Sequence, residues 1–186
     1  MDGSPADARA APRRRRDAAA TREAILESAL AAFSRSGYDG VGVREIAQAA
    51  GVTATLVNRY FGGKERLFAE AVEAAFASAD PLGGDVTTLA RDVTEALSAR
   101  PAPGDAFTLM LRSAANPRAA RILRSAVERH LSRHLAASLP GARADERAAL
   151  VLALIAGVRL MRDVLTLPDA DPAHVEALFG LLISPE

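Results

Sequence analysis

A short helix that the sequence predicts at 53–61 carries side chains that could read DNA bases. Its inward positions are apolar, and its outward positions are Ala54, Thr55, Asn58 and Arg59. An asparagine amide can pair bidentately with adenine and an arginine guanidinium with guanine, while alanine and threonine methyl groups can contact the methyl group of thymine. These four side chains therefore indicate a helix that enters the major groove.

A second short helix, predicted at 43–50, comes directly before it. Its apolar residues recur three and four positions apart, so one stripe of this helix can be buried. Gly51 stands where a helix ends in a left-handed residue, which glycine adopts without steric penalty. Thr53 has a side chain that can cap the next helix. The two helices are too close in sequence to be independent, and their spacing predicts a helix-turn-helix.

Residues beside this motif could contact the DNA backbone. Tyr60 and Lys64 extend the same surface, and the glycines at 62 and 63 let the first N–H groups of the next helix approach a phosphate. Lys64 is the only lysine among 23 basic residues. A cation at a helix N-terminus opposes the helix dipole unless an anion lies nearby, and a bound phosphate would supply that anion. The predicted DNA-binding residues are Gly42, Arg44, Thr53, Ala54, Thr55, Asn58, Arg59, Tyr60 and Lys64.

At these residues the chain resembles the TetR family of one-component transcriptional regulators. The first three helices of that family match residues 21–36, 43–50 and 53–61, and its phenylalanine, lysine and leucine signature matches Phe61, Lys64 and Leu67. The resemblance is specific over residues 17–77 and only architectural beyond them. It implies a three-helix DNA-binding head and a variable helical body that binds a ligand and forms a dimer.

Two positions depart from the family pattern. Gly42 stands where the family usually has a serine or threonine cap, which removes a hydroxyl contact to phosphate and leaves Glu45 with half of a capping box. Asn58 stands where the family usually has a tyrosine that contacts phosphate. The base preference of the family therefore does not carry over to this chain.

Charge is distributed unevenly along the 186 residues, although the formal net charge is zero. Residues 1–66 hold 11 basic and 8 acidic residues, and residues 67–186 hold 12 basic and 15 acidic ones. The first part therefore has a net charge of +3 and the second a net charge of −3. The positive charge of the head favours binding to a polyanion. The four arginines at 13–16 lie in a segment, residues 1–16, that we expect to be disordered. They could reach the minor groove or the DNA backbone, or form only a solvated charge run.

The sequence has no cysteine, which excludes disulfides, thiolate metal sites and cysteine nucleophiles. The basic N-terminus is not followed by the apolar core of a signal peptide. The longest apolar run, at 148–158, is shorter than the roughly 20 residues of a membrane span. We therefore expect a soluble cytoplasmic protein that is nucleoid-associated when bound to DNA.

Turn and cap residues divide the rest of the chain into helices, and the sequence shows no strand pattern. Proline and glycine clusters at 80–84 and 100–104 break the chain, whereas Asn116-Pro117 and Asp171-Pro172 are typical helix starts. The sequence predicts an all-α protein of about nine helices, the later ones at 64–79, 86–99, 105–115, 116–139, 144–167 and 171–183. The predicted parts are an arm at 1–16, a head at 17–77 with the helix-turn-helix at about 42–61, and a body at 78–186.

The helix at 64–79 joins head to body, so movement of the body is expected to pass through it. The helix at 144–167 is apolar around most of its circumference between 148 and 158, which is unusual for a surface helix. With the helix at 171–183 it predicts a four-helix homodimer interface, although a central helix of a monomeric bundle would show the same pattern. The symmetry of DNA half-sites favours the dimer.

Several body residues could line a ligand cavity, but the same spacing is typical of plain core. The apolar candidates are Phe76, Leu89, Val93, Phe107, Met110, Leu111 and Ile122, and the polar candidate is His130. His130 and His134 lie four residues apart, a spacing that could hold a metal ion. The glutamate of a zinc-protease motif and a third ligand are missing, so we predict neither a metal nor a cofactor. The histidines could instead be partly buried beside Val127 and Leu131, or line a pocket.

The residues and the resemblance together predict a homodimeric transcriptional regulator that binds a palindromic DNA operator and responds to a small-molecule effector. We expect a repressor rather than an activator. The effector would favour a dimer geometry whose recognition helices no longer fit successive grooves. Two alternatives are a DNA-binding architectural protein without an effector and an all-helical enzyme. The sequence offers no candidate catalytic residue for the latter.

Overall fold

A computed structural model describes residues 7–78, 86–98 and 104–184, with side chains at 17–77, 88–98 and 104–184. These ranges form nine helices and contain no strand, which confirms the all-α prediction. The first six are α1 (Asp7–Ser36), α2 (Val43–Ala49), α3 (Ala54–Phe61), α4 (Lys64–Ser78), α5 (Val86–Ser98) and α6 (Ala106–Ser113). The predicted helix ends at 79 and 99 lie outside the described residues.

The next two helices each change their winding partway along. Helix α7 begins as Pro117–Val127, widens into a π-helix over Glu128–Ser132 and ends as Arg133–Ser138. Helix α8 begins as Ala144–Arg159 and ends as the π-helical Leu160–Val164. The last helix, α9, is Pro172–Ile183. Short π-helical stretches inside α-helices are rare and occur frequently at functional sites.

The sequence predicts disorder for the arm, and the structure describes the backbone of part of it, residues 7–16. Their backbone continues α1 toward the N-terminus. Alanine and arginine, which have high helix propensity, dominate this segment, and it extends a helix whose later turns are already packed. Residues 1–6 and the side chains of the four arginines at 13–16 are outside the described part of the chain.

The turn between α2 and α3 has the geometry that the glycine predicts. Gly51 has a φ of 67°, in the left-handed region. Its N–H donates to the Gln48 carbonyl at 3.1 Å, and the Val52 N–H donates to the Ala47 carbonyl at 2.9 Å. These two bonds form a Schellman motif, which ends α2 and satisfies its last carbonyl groups.

The start of each helix of the motif is also fixed locally. The Thr53 Oγ1 accepts a hydrogen bond from the Leu56 N–H at 3.4 Å, as expected of an N-cap. The Glu45 Oε2 accepts one from the Gly42 N–H at 2.7 Å. Because glycine has no side chain to return the bond, this is the half capping box that the sequence predicts.

A proximal core joins the head to the near part of the body. Three aromatic rings lie at its centre: Phe68 of α4 packs edge-on against Phe33 of α1, with centroids 5.0 Å apart, and against Tyr38, at 4.9 Å. Buried residues of α2, α3, α6 and α7 belong to the same core. A separate distal core is formed by α5, the end of α7, α8 and α9 around Phe179.

Helix α4 is not the only connection between head and body. The Ser113 Oγ at the end of α6 accepts a hydrogen bond from the Tyr38 N–H at 3.0 Å, and the Asn116 amide donates to the Asp39 carboxylate at 2.8 Å. Gly37 approaches α6 so closely that a Cβ there would lie 2.3 Å from the Arg112 carbonyl oxygen. The expectation that movement must pass through α4 is therefore too narrow, because α6 also contacts the head.

We expect Gly51→Ala to lower the free energy of unfolding by about 1 kcal/mol, because alanine is strained at positive φ. A Cβ at this position would meet nothing within 4 Å, so the loss reports backbone strain alone. Gly51→Asn is the matched control, since asparagine tolerates the left-handed region better. Urea unfolding at fixed protein concentration measures both. Equal stability of the alanine variant and the wild type would contradict the explanation.

Candidate nucleic-acid interface and body cavity

Helix α3 presents its polar side chains on the side opposite its buried residues. Thr55, Asn58 and Arg59 are exposed, whereas Val57 and Phe61 are buried in the proximal core. The inward residues thus fix the rotation of α3 about its own axis. The three exposed side chains together can donate and accept hydrogen bonds at base edges.

Gly42, at the cap of α2, is half-buried and its N–H bonds to Glu45. Apart from Lys64, the other predicted DNA-contact residues fall into two groups. Arg44 is exposed on α2, and Thr53 is exposed at the cap of α3. Ala54 and Tyr60 are half-buried and pack against the proximal core, so each offers only part of its surface. Gln48, which was not among the predicted residues, is an exposed amide one turn after Arg44 on the same face of α2. Its spacing of four residues from Arg44 was the available signal.

Lys64 lies at the first position of α4 and rests on an aromatic ring. Its Nζ lies 4.6 Å from the centroid of the Tyr38 ring, within the range of a cation–π contact. Burial, together with the charge of Glu65, raises the pKa of Tyr38, so the phenol stays neutral at pH 7. The sequence does not reveal this partner, because Tyr38 is 26 residues away and comes close to Lys64 only through the aromatic packing of the proximal core.

The α4 N-terminus borders a shallow depression on the protein surface. The first N–H groups of a helix have no partner within it, and two residues of positive φ, Gly62 at 76° and Gly63 at 133°, precede α4. The depression measures about 460 Å³ and is lined by Gly62, Gly63, Lys64, Glu65, Arg66, Ala69 and Ile122. Ile122, a predicted cavity residue, therefore lies beside Lys64 instead.

A cavity of about 150 Å³ lies in the body between α4, α6, α7 and α8. Three of the predicted cavity residues line it: Phe76 of α4 and Phe107 and Met110 of α6. The rest of its lining consists of Asp105, Ala106, Val127, Leu131, Leu152, Ile155, Ala156 and Arg159.

The other predicted cavity residues lie elsewhere. Leu89 and Val93 are fully buried in the distal core, where they pack as plain core residues. Leu111 is 38% exposed on the outer side of α6. The helical spacing of these apolar residues predicts that they share a face of a helix. It does not predict which of the two cores that face contacts, or whether an individual residue lies on the outer side.

His130 contacts the wall of the cavity from outside. Its Nε2 lies 2.8 Å from the Glu73 Oε2, and its ring stacks on Phe76 with centroids 6.2 Å apart. Arg129 pairs with the same glutamate. The exposed His134 contacts the Arg129 carbonyl instead, so the two histidines have different partners. No cluster of three metal-binding side chains occurs among the described residues.

A largely buried ion pair, between Asp105 and Arg159, forms the polar part of the cavity wall. The Arg159 guanidinium donates from Nη1 and Nη2 to the two oxygens of Asp105, at 2.8 and 2.9 Å, and from Nε to Asp163 at 3.0 Å. Its carbon Cζ lies 4.6 Å from the centroid of the Phe107 ring. Asp105 also caps α6 by accepting from the Thr108 N–H at 2.8 Å.

Electrostatics favour the charged form of each partner in this pair. Burial alone would raise the pKa of Asp105, but the hydrogen bonds from Arg159 and Thr108 outweigh it and lower that pKa. Burial likewise opposes the charge of Arg159, and the bonds to Asp105 and Asp163 raise its pKa. The sequence predicts that a helix starts at residue 105, but it does not reveal the ion pair with Arg159, because nothing in the sequence pairs two residues 54 positions apart.

Comparison with known proteins gives two family matches that together cover most of the chain. Residues 25–71 match the profile of "Bacterial regulatory proteins, tetR family", and residues 86–183 match "Tetracyclin repressor-like, C-terminal domain". The HTH-type transcriptional regulatory protein RaaS of Mycobacterium tuberculosis is 56% identical over 43 residues. That match covers 23% of this chain and 20% of RaaS.

Solved structures share the fold over nearly the whole chain. A TetR-family regulator from Streptomyces coelicolor A3 is 25% identical, with a TM-score of 0.52 over 89% of this chain and 95% of that one. A putative transcriptional regulator from Pseudomonas aeruginosa PAO1 is 21% identical, with a TM-score of 0.68 over 87% of this chain and 88% of that one. The multidrug binding protein EbrR, solved with ethidium, is 21% identical, with a TM-score of 0.66 over 88% of this chain and 99% of EbrR. Across the part of this chain that the structure describes, no helix combines the length and the apolar character of a membrane span.

We expect Asp105→Asn to lower the free energy of unfolding by about 2 kcal/mol at pH 7, because Arg159 loses a buried, charged partner while asparagine still caps α6. The pKa of Asp105 is lower in the folded chain than in the unfolded chain. The charged carboxylate therefore contributes its full stabilisation above the ordinary aspartate pKa of about 4, and this contribution is lost as the pH falls through the pKa of the folded state. The difference between variant and wild type should therefore shrink in acid.

Urea unfolding at several pH values and one protein concentration measures this difference. Asp17→Asn, at an exposed aspartate of α1, is the control and should change stability little at any pH. A loss for Asp105→Asn that is the same at pH 7 and pH 3 would show that the charge of Asp105 is not its cause.

Proposed function

The chain belongs to the TetR family of bacterial regulatory proteins, and on that premise we propose that it is a homodimeric repressor which leaves its operator when a small molecule enters the body cavity. Membership of the family makes it a DNA-binding transcriptional regulator. The observation that carries the rest is that α4 holds Lys64 at one end and Phe76, in the cavity wall, at the other. One rigid helix thus connects the two sites.

The exposed face of α3 supports sequence-specific binding. Asn58 and Arg59 have the side chains that pair with adenine and guanine in the major groove, and Thr55 lies on the same exposed face. Arg44 and Gln48 on α2, with Lys64 on α4, would contact the phosphates beside this groove. Phosphate contacts position a protein on DNA, whereas contacts to base edges give it specificity.

The distribution of exposed apolar side chains supports a dimer through α8 and α9. Within the described ranges, eight large apolar side chains are exposed, and seven of them lie in α8, in α9 or in the loop between them. They are Leu150, Met161, Val164, Leu165, Leu167, Leu178 and Leu181. Apolar patches of this kind mark interaction surfaces. A second copy of the chain is the partner that a two-fold operator requires.

Two helices would transmit the effector signal. A molecule in the cavity would contact Phe76 of α4 and Phe107 of α6. Helix α4 begins at Lys64, and α6 ends at Ser113, which accepts a hydrogen bond from the Tyr38 N–H below that lysine. An effector that binds one arrangement of α4 and α6 better than another shifts the population toward it, and with it the separation of the two α3 helices.

Two observations bear on the alternatives. An architectural DNA-binding protein has no use for a cavity bounded by helices that contact its head. EbrR, which shares the fold, was solved with ethidium, and this supports a small-molecule effector for the same fold here. An enzyme would need reactive groups in the cavity, whereas its charged wall residues, Asp105 and Arg159, are bonded to each other.

The operator can be found by selecting bound fragments from the source genome, and Lys64→Ala can then be tested on it. We expect weaker binding to all sequences alike and a salt slope smaller by about one, because a phosphate contact carries no base information. Arg124→Ala, which removes an exposed charge from the body, is the control and should leave the slope unchanged. If Lys64→Ala altered the preference at a single base pair, the phosphate role would be wrong.

Leu181→Glu tests the dimer. This side chain is 76% exposed in the single chain, so we expect the protomer to stay folded while a buried, unpaired charge prevents association. Light scattering should show monomers, and footprinting should show loss of specific protection, because one head makes half of the contacts. Leu154 is less suitable, since it is half-buried against the distal core.

Leu111→Glu is the matched control for this experiment. Leu111 is the one exposed large apolar residue of the described ranges that lies outside α8, α9 and their loop. The control should remain dimeric and bind the operator. A dimeric Leu181→Glu with unchanged operator affinity would place the interface elsewhere.

A further inference from the structure

The size of the body cavity limits what it can hold. Its volume of about 150 Å³ is that of an apolar cavity which accepts one benzene-sized ring. Phe76, Phe107 and Met110 supply flat or adaptable apolar surface on two of its helices. A compound of several fused rings would have to displace these side chains or extend out of the open side of the cavity, whereas a single ring would fit within it.

The charges of the wall limit its occupant further. Arg159 is bonded to Asp105 and Asp163, and Asp163 also accepts a hydrogen bond from Arg162 at 2.6 Å. Asp105 and Arg159 line the cavity, and Asp163 and Arg162 extend the network behind them. The two positive and two negative side chains of this network balance, and each has a partner of opposite sign. A charged ligand would lose its hydration without gaining an unpaired counter-charge, which is strongly unfavourable. The wall therefore favours a neutral molecule.

The carboxylate of Asp105, a residue of the cavity wall, can accept a further hydrogen bond. The Asp105 Oδ2 accepts three bonds, from Arg159 and from the N–H and hydroxyl of Thr108. The Asp105 Oδ1 accepts one bond within the described residues, from the Arg159 Nη1. A carboxylate oxygen has two lone pairs, so a hydroxyl group of a ligand can donate to Oδ1.

Both π-helical segments are next to this cavity: one contains a lining residue, and the other begins directly after one. Leu131 belongs to the π-helical part of α7, and Arg159 directly precedes that of α8. A π-helical turn rotates the following side chains relative to a regular helix, and such turns occur frequently at functional sites. Their presence in two separate helices at one cavity supports a ligand site rather than a packing defect.

We propose that the effector is an uncharged molecule with a single ring and one hydroxyl group. Its ring lies between Phe76, Phe107 and Met110, and its hydroxyl donates to Asp105. This inference rests on the proposed function in one respect, that the cavity is the effector site. The paired charges of the wall and the small volume carry the rest.

Three probes of one size and different charge test the proposal: benzyl alcohol, benzoate and benzylammonium. Calorimetry on the full-length protein at pH 7 should show benzyl alcohol binding at least about tenfold more tightly than either ion. Toluene, which lacks the hydroxyl, should bind about tenfold more weakly than the alcohol, because Oδ1 then gains no donor. Equal affinity for the alcohol and an ion would overturn the proposal, as would no binding of any probe.

Variants place the probe in the cavity. Ala156→Leu fills the space from α8 and should abolish binding of benzyl alcohol, whereas Ala137→Leu, at an exposed position of α7, should not. Met110→Phe fills the cavity from α6 and provides a second test should Ala156→Leu fold poorly. Unchanged affinity in a folded cavity-filling variant would show that the probe binds elsewhere and contradict the proposal.

Measuring operator binding as well as probe binding distinguishes a failure of this proposal from a failure of the proposed function. Benzyl alcohol that binds in the cavity but leaves operator affinity unchanged would contradict the effector mechanism and leave the ligand class intact. Release from the operator by a charged or multi-ring compound, with no binding of benzyl alcohol, would contradict the ligand class and leave the repressor function intact.

Discussion

The edge-on packing of Phe68 against Phe33 and Tyr38 is the contact on which the rest of the structure depends. These rings join α1, the loop after it and α4, and the buried faces of α2 and α3 pack against the same core. The Tyr38 ring in turn supports the ammonium group of Lys64 at the start of α4. Aromatic pairs add about 0.5 to 1.5 kcal/mol each beyond their buried area, so this cluster fixes the head firmly on α4.

The helix-turn-helix could be predicted in detail because short-range interactions determine it. The Schellman bonds at Gly51, the cap at Thr53 and the Glu45 bond to Gly42 each involve residues at most five apart. The cavity could be predicted only in part, because its polar wall joins Asp105 to a residue 54 positions later. Val93 and Met110 have the same kind of sequence pattern, yet one is distal core and the other lines the cavity. Only the packing of whole helices decides between them.

The apolar character of α8 has three causes, which the sequence alone does not separate. Val151 faces the distal core and is fully buried, and Ile155 and Ala156 face the cavity. Leu150 and Met161 face outward and are about half exposed. A helix that contacts a core, a cavity and an external surface must be apolar nearly all round, and this is why its hydrophobic pattern has no clear periodicity. The single chain leaves only the outward side without a partner.

In the mechanism we propose, the short helix α6 would act with α4 to transmit occupation of the cavity to the head. Its eight residues span about 12 Å and are anchored at both ends, by Asp105 to Arg159 and by Ser113 to Tyr38. Burying one ring supplies about 4 to 6 kcal/mol before the cost of association, at about 25 cal/mol per Å². Reversing a two-state population from 1:99 to 99:1 needs about 5.5 kcal/mol of difference in affinity. If the proposed effector mechanism holds, a ligand this small would need a DNA-bound arrangement in which the cavity is almost completely closed, and the contacts at the two ends of α6 make this helix a candidate for that movement.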